Sequence, residues 1–207
     1  VNMKIISIVI VLAVSFSAQA QTALTLNPVA DATVKSSSSS SNYGASSLLE
    51  SDGSPVMHAY LKFDVKGLAG TVQSAKVRLY VKDSSSSGPE LYITPSTWSE
   101  SVITWANKPT ATSSKLDDRG SISSGRYIEY DVLKAITANG MVSFLLKPDS
   151  SDGSDFASRE SSTPPQLVIV MSDSTPLPTP TPVPPTATPT PTPVPPTGGY
   201  VDDTHAS

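Results

Sequence analysis

Residues 59–82 read AYLKFDVKGLAGTVQSAKVRLYVK, and their pattern sets the fold class. In 59–65, Leu61, Phe63 and Val65 alternate with Tyr60, Lys62 and Asp64. In 75–82, Val77, Leu79 and Val81 alternate with Lys76, Arg78, Tyr80 and Lys82. Side chains on a strand point to opposite faces in turn, so this spacing describes two strands with one face buried. YIEYDV at 127–132 repeats the pattern, with Ile128, Tyr130 and Val132 inward and Tyr127, Glu129 and Asp131 outward. Further strands are expected at 32–35, 48–50, 91–94, 142–147 and 166–171. Turn-forming clusters separate them: SSSSSSNYG, SDGSP, DSSSSGP and DSSDGSD. Many short half-buried strands joined by such turns predict an all-β chain, an antiparallel β-sandwich or jelly roll.

One stretch breaks the period of two. TWSESVITWANKP at 97–109 holds both tryptophans of the chain. Thr97 and Glu100 fit the capping box T-x-x-E, and Trp98, Val102 and Trp105 share one face of a helix. A short helix near 97–107 is therefore expected, with both indoles turned inward as a core plug. An extended stretch instead sends Trp98 and Trp105 to opposite faces, and one of them then meets a ligand.

The ends have a different character. Residues 3–20, MKIISIVIVLAVSFSAQA, combine Lys4, an apolar run and a small-x-small cleavage site. This is the layout of a secretory signal peptide over residues 1–20, and the apolar run is shorter than the roughly 20 residues of a spanning helix. The chain is thus expected to be secreted or displayed at the cell surface, with no membrane span after cleavage. The segment TPLPTPTPVPPTATPTPTPVPPT, within a linker at 174–198, repeats TPTPVPPT at 179–186 and 190–197. Proline at this density favours polyproline II, a semi-rigid spacer on the order of 70 Å long at about 3.1 Å per residue. Residues 199–207 are expected to be the remnant of a following segment, and a covalently linked downstream module is the expected partner of the folded part, residues 21–173.

Charge narrows the function. The chain has 14 Lys and Arg against 18 Asp and Glu; setting aside Lys4, Asp202 and Asp203 leaves a net charge of −3 in residues 22–173. A mildly acidic exported domain is a poor nucleic-acid binder. There is no cysteine, hence no disulfide, thiolate metal site or cysteine nucleophile. The two histidines are His58 and His205, and no G-x-S-x-G elbow accompanies either. Asp64, Glu129 and Asp131 are the outward carboxylates from which a glycosidase pair would be drawn, and solvated surface charge is the plainer reading. No catalytic residue is assigned; a polysaccharide lyase or hydrolase stays a minor alternative.

Against the acidic background, residues 58–82 hold Lys62, Lys66, Lys76, Arg78 and Lys82 against the one anion Asp64. If the two strands share a sheet, Tyr60, Lys62, Lys76, Arg78, Tyr80 and Lys82 form one outer wall beside His58. Arg and Lys suit sugar carboxylates, and Tyr suits the C–H face of a pyranose. An acidic polysaccharide such as alginate, pectin or another uronate fits that wall; a solvated face carrying lysines against aggregation is the alternative. Tyr127 and Lys35 are further ligand candidates. Arg159 either meets ligand or, the preferred reading, has a structural partner such as Asp131. The loops at 149–155 and 51–53 are rich in oxygen ligands, but neither has the spacing of an EF-hand. No cofactor is required on this reading, and the ligands of any structural calcium are unassigned.

The motifs NPVADATVKS, NYG, AYLKFDVKGLAGTVQSAKVRLYV, TWSESVITWANKP, YIEYDVLKAITANG, SFLLKP and FASRESSTPPQLVI occur in the order seen in the DNRLRE-domain family. The chain resembles that family over about Leu26 to Val170, and the family is similar to carbohydrate-binding modules that attach to alginate. The resemblance implies a β-jelly roll that binds carbohydrate without cleaving it, and by analogy a structural calcium to which Asp31 contributes. The family often carries Arg two residues before the Tyr of Y-L-K-F; here His58 stands there, so a neutral imidazole replaces a fixed cation. A structural or adhesive module of the cell surface is the alternative function.

Overall fold

The computed structural model describes residues 20–172. The expected signal peptide, the Pro/Thr linker and the segment at 199–207 lie outside the described residues, save Ala20. Ten strands follow in order: β1 (Gln21–Leu26), β2 (Ala30–Lys35), β3 (Leu48–Gly53), β4 (Val56–Val65), β5 (Thr71–Asp83), β6 (Glu90–Thr94), β7 (Tyr127–Asp131), β8 (Gly140–Lys147), β9 (Ser154–Ala157) and β10 (Gln166–Ser172). All pairings are antiparallel. Each expected strand is present. β1 and β9 were not expected, since neither QTALTL nor SDFA carries a long alternation. Among the described residues no helix is long and apolar enough to cross a membrane.

The ladder curls into two layers. One carries β1-β10-β5-β7 and the other β2-β4-β8-β6, while β3 and β9 pair with each other and join β4 to β5 at a corner. Leu61, Phe63 and Val65 of β4 meet Val77, Leu79 and Val81 of β5 in one core, with Phe144, Phe156, Leu167 and Ile169. The alternation in 59–82 therefore predicts the buried sides correctly.

The pairing of those two strands does not follow. β4 and β5 are not neighbours in the ladder. The five residues between them cross from one layer to the other, with Gly67 and Gly70 at positive φ (84° and 107°), where a side chain is strained. Because the inner sides of β4 and β5 face each other, their outer sides point away from each other. The single outer wall expected from the sequence is thus divided between opposite faces of the sandwich.

A second apolar cluster lies outside the first. Ala30, Ala32 and Val34 of β2, Tyr60 of β4 and Leu145 of β8 pack against Trp98 and Ile103. The cover is the 96–111 segment, which runs as turns and extended chain rather than the expected helix. Glu100 does not close a capping box on Thr97: its Oε1 accepts the Asp31 N–H at 2.8 Å and its Oε2 accepts Arg159 Nη1 at 2.8 Å. Tertiary partners thus outbid the local cap. Trp98 is buried and Trp105 half-buried, while Val102, expected inward with them, is 59% exposed. Burying an indole or phenol of this size contributes several kcal/mol, which holds the segment on the sheet.

Candidate functional site

On the outer side of β5 the expected residues do come together. Arg78 lies between Gln166 of β10 and Glu129 of β7, directly opposite both. Its Nη1 donates to Gln166 Oε1 at 3.0 Å, and its Nε sits 3.3 Å from Glu129 Oε1. Lys76 Nζ takes the other oxygen of Glu129 at 3.1 Å. The guanidinium covers the Tyr127 ring at 4.7 Å, and Tyr80 meets the same ring edge-on at 5.2 Å. Lys82 is exposed beside a register shift. The tyrosines are half-buried and present no open flat platform, and both inner cations already have a carboxylate.

On the outer side of β4 the three expected residues have three fates. Tyr60 is not a sugar platform: it is fully buried and its hydroxyl donates to Pro109 O at 2.7 Å. Lys62 donates to Trp98 O and lies 4.4 Å over the Trp98 ring. Desolvation lowers its pKa, opposed by the nearby Glu100. His58 remains half-buried at a surface groove.

That groove is built on β4, β8 and β6. Ala59 is opposite Leu146, so one step along the ladder His58 of β4 comes to Lys147 of β8. One hollow, about 160 Å³, is lined by His58, Lys108, Thr110, Ala111 and Lys147, with Tyr60 and Leu145 beneath. A second hollow shares His58 and Lys147 and extends over Val56 to Asp149 and Ser151. The imidazole lies 5.0 Å from the half-buried Trp105 ring, Lys108 Nζ sits 3.5 Å over that ring, and Lys147 Nζ lies 5.0 Å over Tyr92. Among the described residues neither lysine forms a salt bridge; Lys147 stands opposite Glu90 in the ladder and its charge helps to lower the Glu90 pKa, while Lys108 donates to Trp105 O at 2.9 Å. Nearby Glu90 is engaged by Tyr92 and by Lys115, the latter at 2.9 Å.

Burial, then the charges of Lys108 and Lys147, push the His58 pKa down to about 4. The imidazole is neutral at pH 7, and its buried Nδ1 has no hydrogen-bond partner among the described residues. Desolvation lowers the Lys108 pKa as well. The arrangement offers two cations, a neutral polar ring and two aromatic faces in one groove, a set that suits an anionic ligand with an apolar side.

The 96–111 segment supplies Trp105 and Lys108, and three contacts pin it. Asn42 Nδ2 donates to Glu100 O at 2.7 Å and to Ile103 O at 2.8 Å. Gly44 lies so close that a Cβ there would stand 2.2 Å from Glu100 O, which explains the glycine of NYG. Arg159 bridges Glu100 at 2.8 Å and Glu160 at 3.3 Å, while its N–H donates to Asp31 Oδ2 at 2.8 Å. Arg159 thus has carboxylate partners in the fold, but they are Glu100 and Glu160 rather than the expected Asp131. Asp131 instead accepts the Leu133 N–H.

Asp31, Glu100 and Glu160 bring one oxygen each within 4.8 Å of one another. Burial first, then Glu160 and Glu100, raise the Asp31 pKa to about 8. Arg159 stands among these carboxylates as their countercharge. The loop carboxylates weighed for calcium serve the chain: Asp52 accepts the Ser54 N–H, Asp149 the Ser87 hydroxyl, and Asp152 the Ser86 N–H and hydroxyl.

Lys35 pairs with Glu50 at 2.5 Å and covers Tyr43, away from the groove. Asp64, tied to Lys66 at 2.5 Å, lies in the other layer from Glu129 and Asp131 and pairs with neither across a cleft. Sequence reasoning missed Lys108, Lys147 and Tyr92. Lys108 follows Trp105 by three residues, and Tyr92 and Lys147 are at outward positions of predicted strands. A signal existed, but a tally of neighbouring cations that stops at Lys82 passes it by.

The family described as carbohydrate-binding module family 96 matches residues 22–171, almost the whole described domain. No curated protein matches the chain.

Proposed function

Because the chain belongs to carbohydrate-binding module family 96, we propose that it is an exported, non-catalytic module that holds an acidic polysaccharide, alginate or another uronate, in the groove of His58, Trp105, Lys108 and Lys147. In the full-length protein the Pro/Thr linker tethers it to a further module. The observation that carries this reading is the contrast in pairing. Among the described residues Lys108 and Lys147 stand over aromatic rings without a salt bridge, Lys147 feeling Glu90 only at a distance, whereas Lys76 and Arg78 on the opposite face share Glu129 in direct ion pairs. Unpaired cations in a partly desolvated groove favour an anion more than paired ones do. Trp105 and Tyr92 offer the apolar side of a sugar ring its partners, and neutral His58 offers a hydroxyl partner where a cation would offer charge.

Affinity electrophoresis of the chain in gels containing alginate, pectin or a neutral glucan tests this. Expected is retardation by the uronates alone, weakened by salt, unchanged by EDTA and lost in Lys108→Ala plus Lys147→Ala. Equal retardation by neutral glucan, or none by any glycan, overturns it. Release of product from the polymer by the chain alone would show an enzyme instead.

A further inference from the structure

The outer side of β4 carries a further hollow, distinct from the two that share His58 and Lys147. It measures about 360 Å³ and is lined by Val29, Ala30, Lys62, Trp98, Ser99, Glu100, Ser101 and Met141. His58, Tyr60 and Lys62 occupy alternate positions of one strand, so His58 and Lys62 share a face. Between them Tyr60 is capped by Pro109 and Trp98, so the 96–111 segment crosses the face there and leaves a hollow on either side. Four residues of strand at about 3.3 Å each separate His58 from Lys62 by roughly 13 Å.

Lys62 brings a cation to this hollow, beside the Ser99 and Ser101 hydroxyls, the Glu100 carboxylate and the buried Trp98. Trp98 is only 7% exposed, and its buried indole Nε1–H has no acceptor among the described residues. A buried N–H without a partner costs free energy that a ligand acceptor would recover. Lys62 spends one N–H on Trp98 O and holds no carboxylate directly. Glu100 also lines the hollow; its oxygens take the Asp31 N–H and Arg159, whose guanidinium offsets its charge. Asp64, next outward along β4, is held by Lys66. At the rim Met141 and Val29 are 56% and 44% exposed, an apolar edge for the C–H side of a ring.

We propose that Lys62 and Trp98 form a second anion subsite, so that one uronate chain engages the groove and this hollow together. The proposal rests on the reading of the groove as the uronate site. It makes the module a reader of chain length. A ligand filling the groove alone misses Lys62, and a longer one gains a second charge-assisted contact.

Titrations of the chain with a uronate disaccharide and a uronate hexasaccharide test it. Lys62→Gln is expected to weaken the hexasaccharide about tenfold and to change the disaccharide less than twofold. Loss of neither, or equal loss of both, overturns the subsite. Lys108→Gln plus Lys147→Gln separates the two ideas. If it abolishes both ligands while Lys62→Gln spares the hexasaccharide, the groove stands and the subsite falls. If it spares both ligands, the groove reading falls, and with it a chain spanning the two hollows. The indole N–H signals give a readout free of any folding defect. With Trp105→Phe assigning the pair, the Trp98 signal is expected to shift with hexasaccharide and not with disaccharide; a Trp98 signal indifferent to both overturns the proposal.

Discussion

The outer sides of β4 and β5 carry the same kinds of residue, yet they differ in what covers them. On β5, Lys76, Arg78 and Tyr80 stay at the surface, and their neighbours β7 and β10 supply Glu129, Gln166 and Tyr127. On this face both cations are engaged by the one carboxylate of Glu129. On β4, the 96–111 segment lies across the strand, burying Tyr60 and flanking it with Lys62 on one side and His58 on the other. There the lysines rest on rings rather than on carboxylates. A cation bonded within its own sheet is already satisfied, whereas one set over an aromatic ring at a groove keeps donors for a ligand.

The hardest test of that contrast is stability. Tyr60→Ala should cost about 3–5 kcal/mol, as for other buried aromatics, whereas Tyr80→Ala on the open face should cost far less. Denaturant midpoints check this, and similar losses would mean that the segment is not a true cover. Next comes binding. Removing Lys108 and Lys147 together is expected to weaken uronate affinity about a hundredfold, at roughly 1.4 kcal/mol per lysine. Lys76→Ala plus Arg78→Ala should leave it within about twofold by the same titration.

A smaller effect sharpens the comparison from the other side. Glu129→Gln frees Lys76 and Arg78, so the β5 face should gain uronate binding by a few fold, most clearly once Lys108 and Lys147 are removed. The pair is over 40% exposed, and its loss should cost less than about 1 kcal/mol of stability. No gain would show that pairing is not what silences that face. A last effect is on the acid side. The unfolded chain protonates His58 near 6.5, and the folded chain withholds the proton until about 4. The unfolded state binds more protons in between, so this group lowers stability as pH falls from about 6.5 to about 4. His58→Gln should flatten that part of the stability profile; an unchanged profile would mean that the imidazole is not held neutral by its surroundings.

The alternation in 59–82 and 127–132 was enough to name the buried sides, because period two is a property of the strand itself. It placed Leu61, Phe63, Val65, Val77, Leu79, Val81, Ile128, Tyr130 and Val132 inward, and all are buried save Ile128, which is half-buried against the core. The capping-box pattern at Thr97 failed because Glu100 finds Asp31 and Arg159, residues 69 and 59 positions away. A local motif carries no information about such partners. Tyr60 failed for a related reason: alternation says that it leaves the main core, not that another segment waits outside.

The all-β class, the turns and the inward residues were thus determined by the sequence alone, through steric alternation and turn chemistry acting over a few residues. Only the tertiary structure decided that β4 and β5 lie in opposite layers, which cations find carboxylates, and that Trp105, Lys108 and Lys147 meet at His58. Those outcomes depend on pairings between distant segments, whose energies come from burial and hydrogen bonds that exist only once the sandwich has closed.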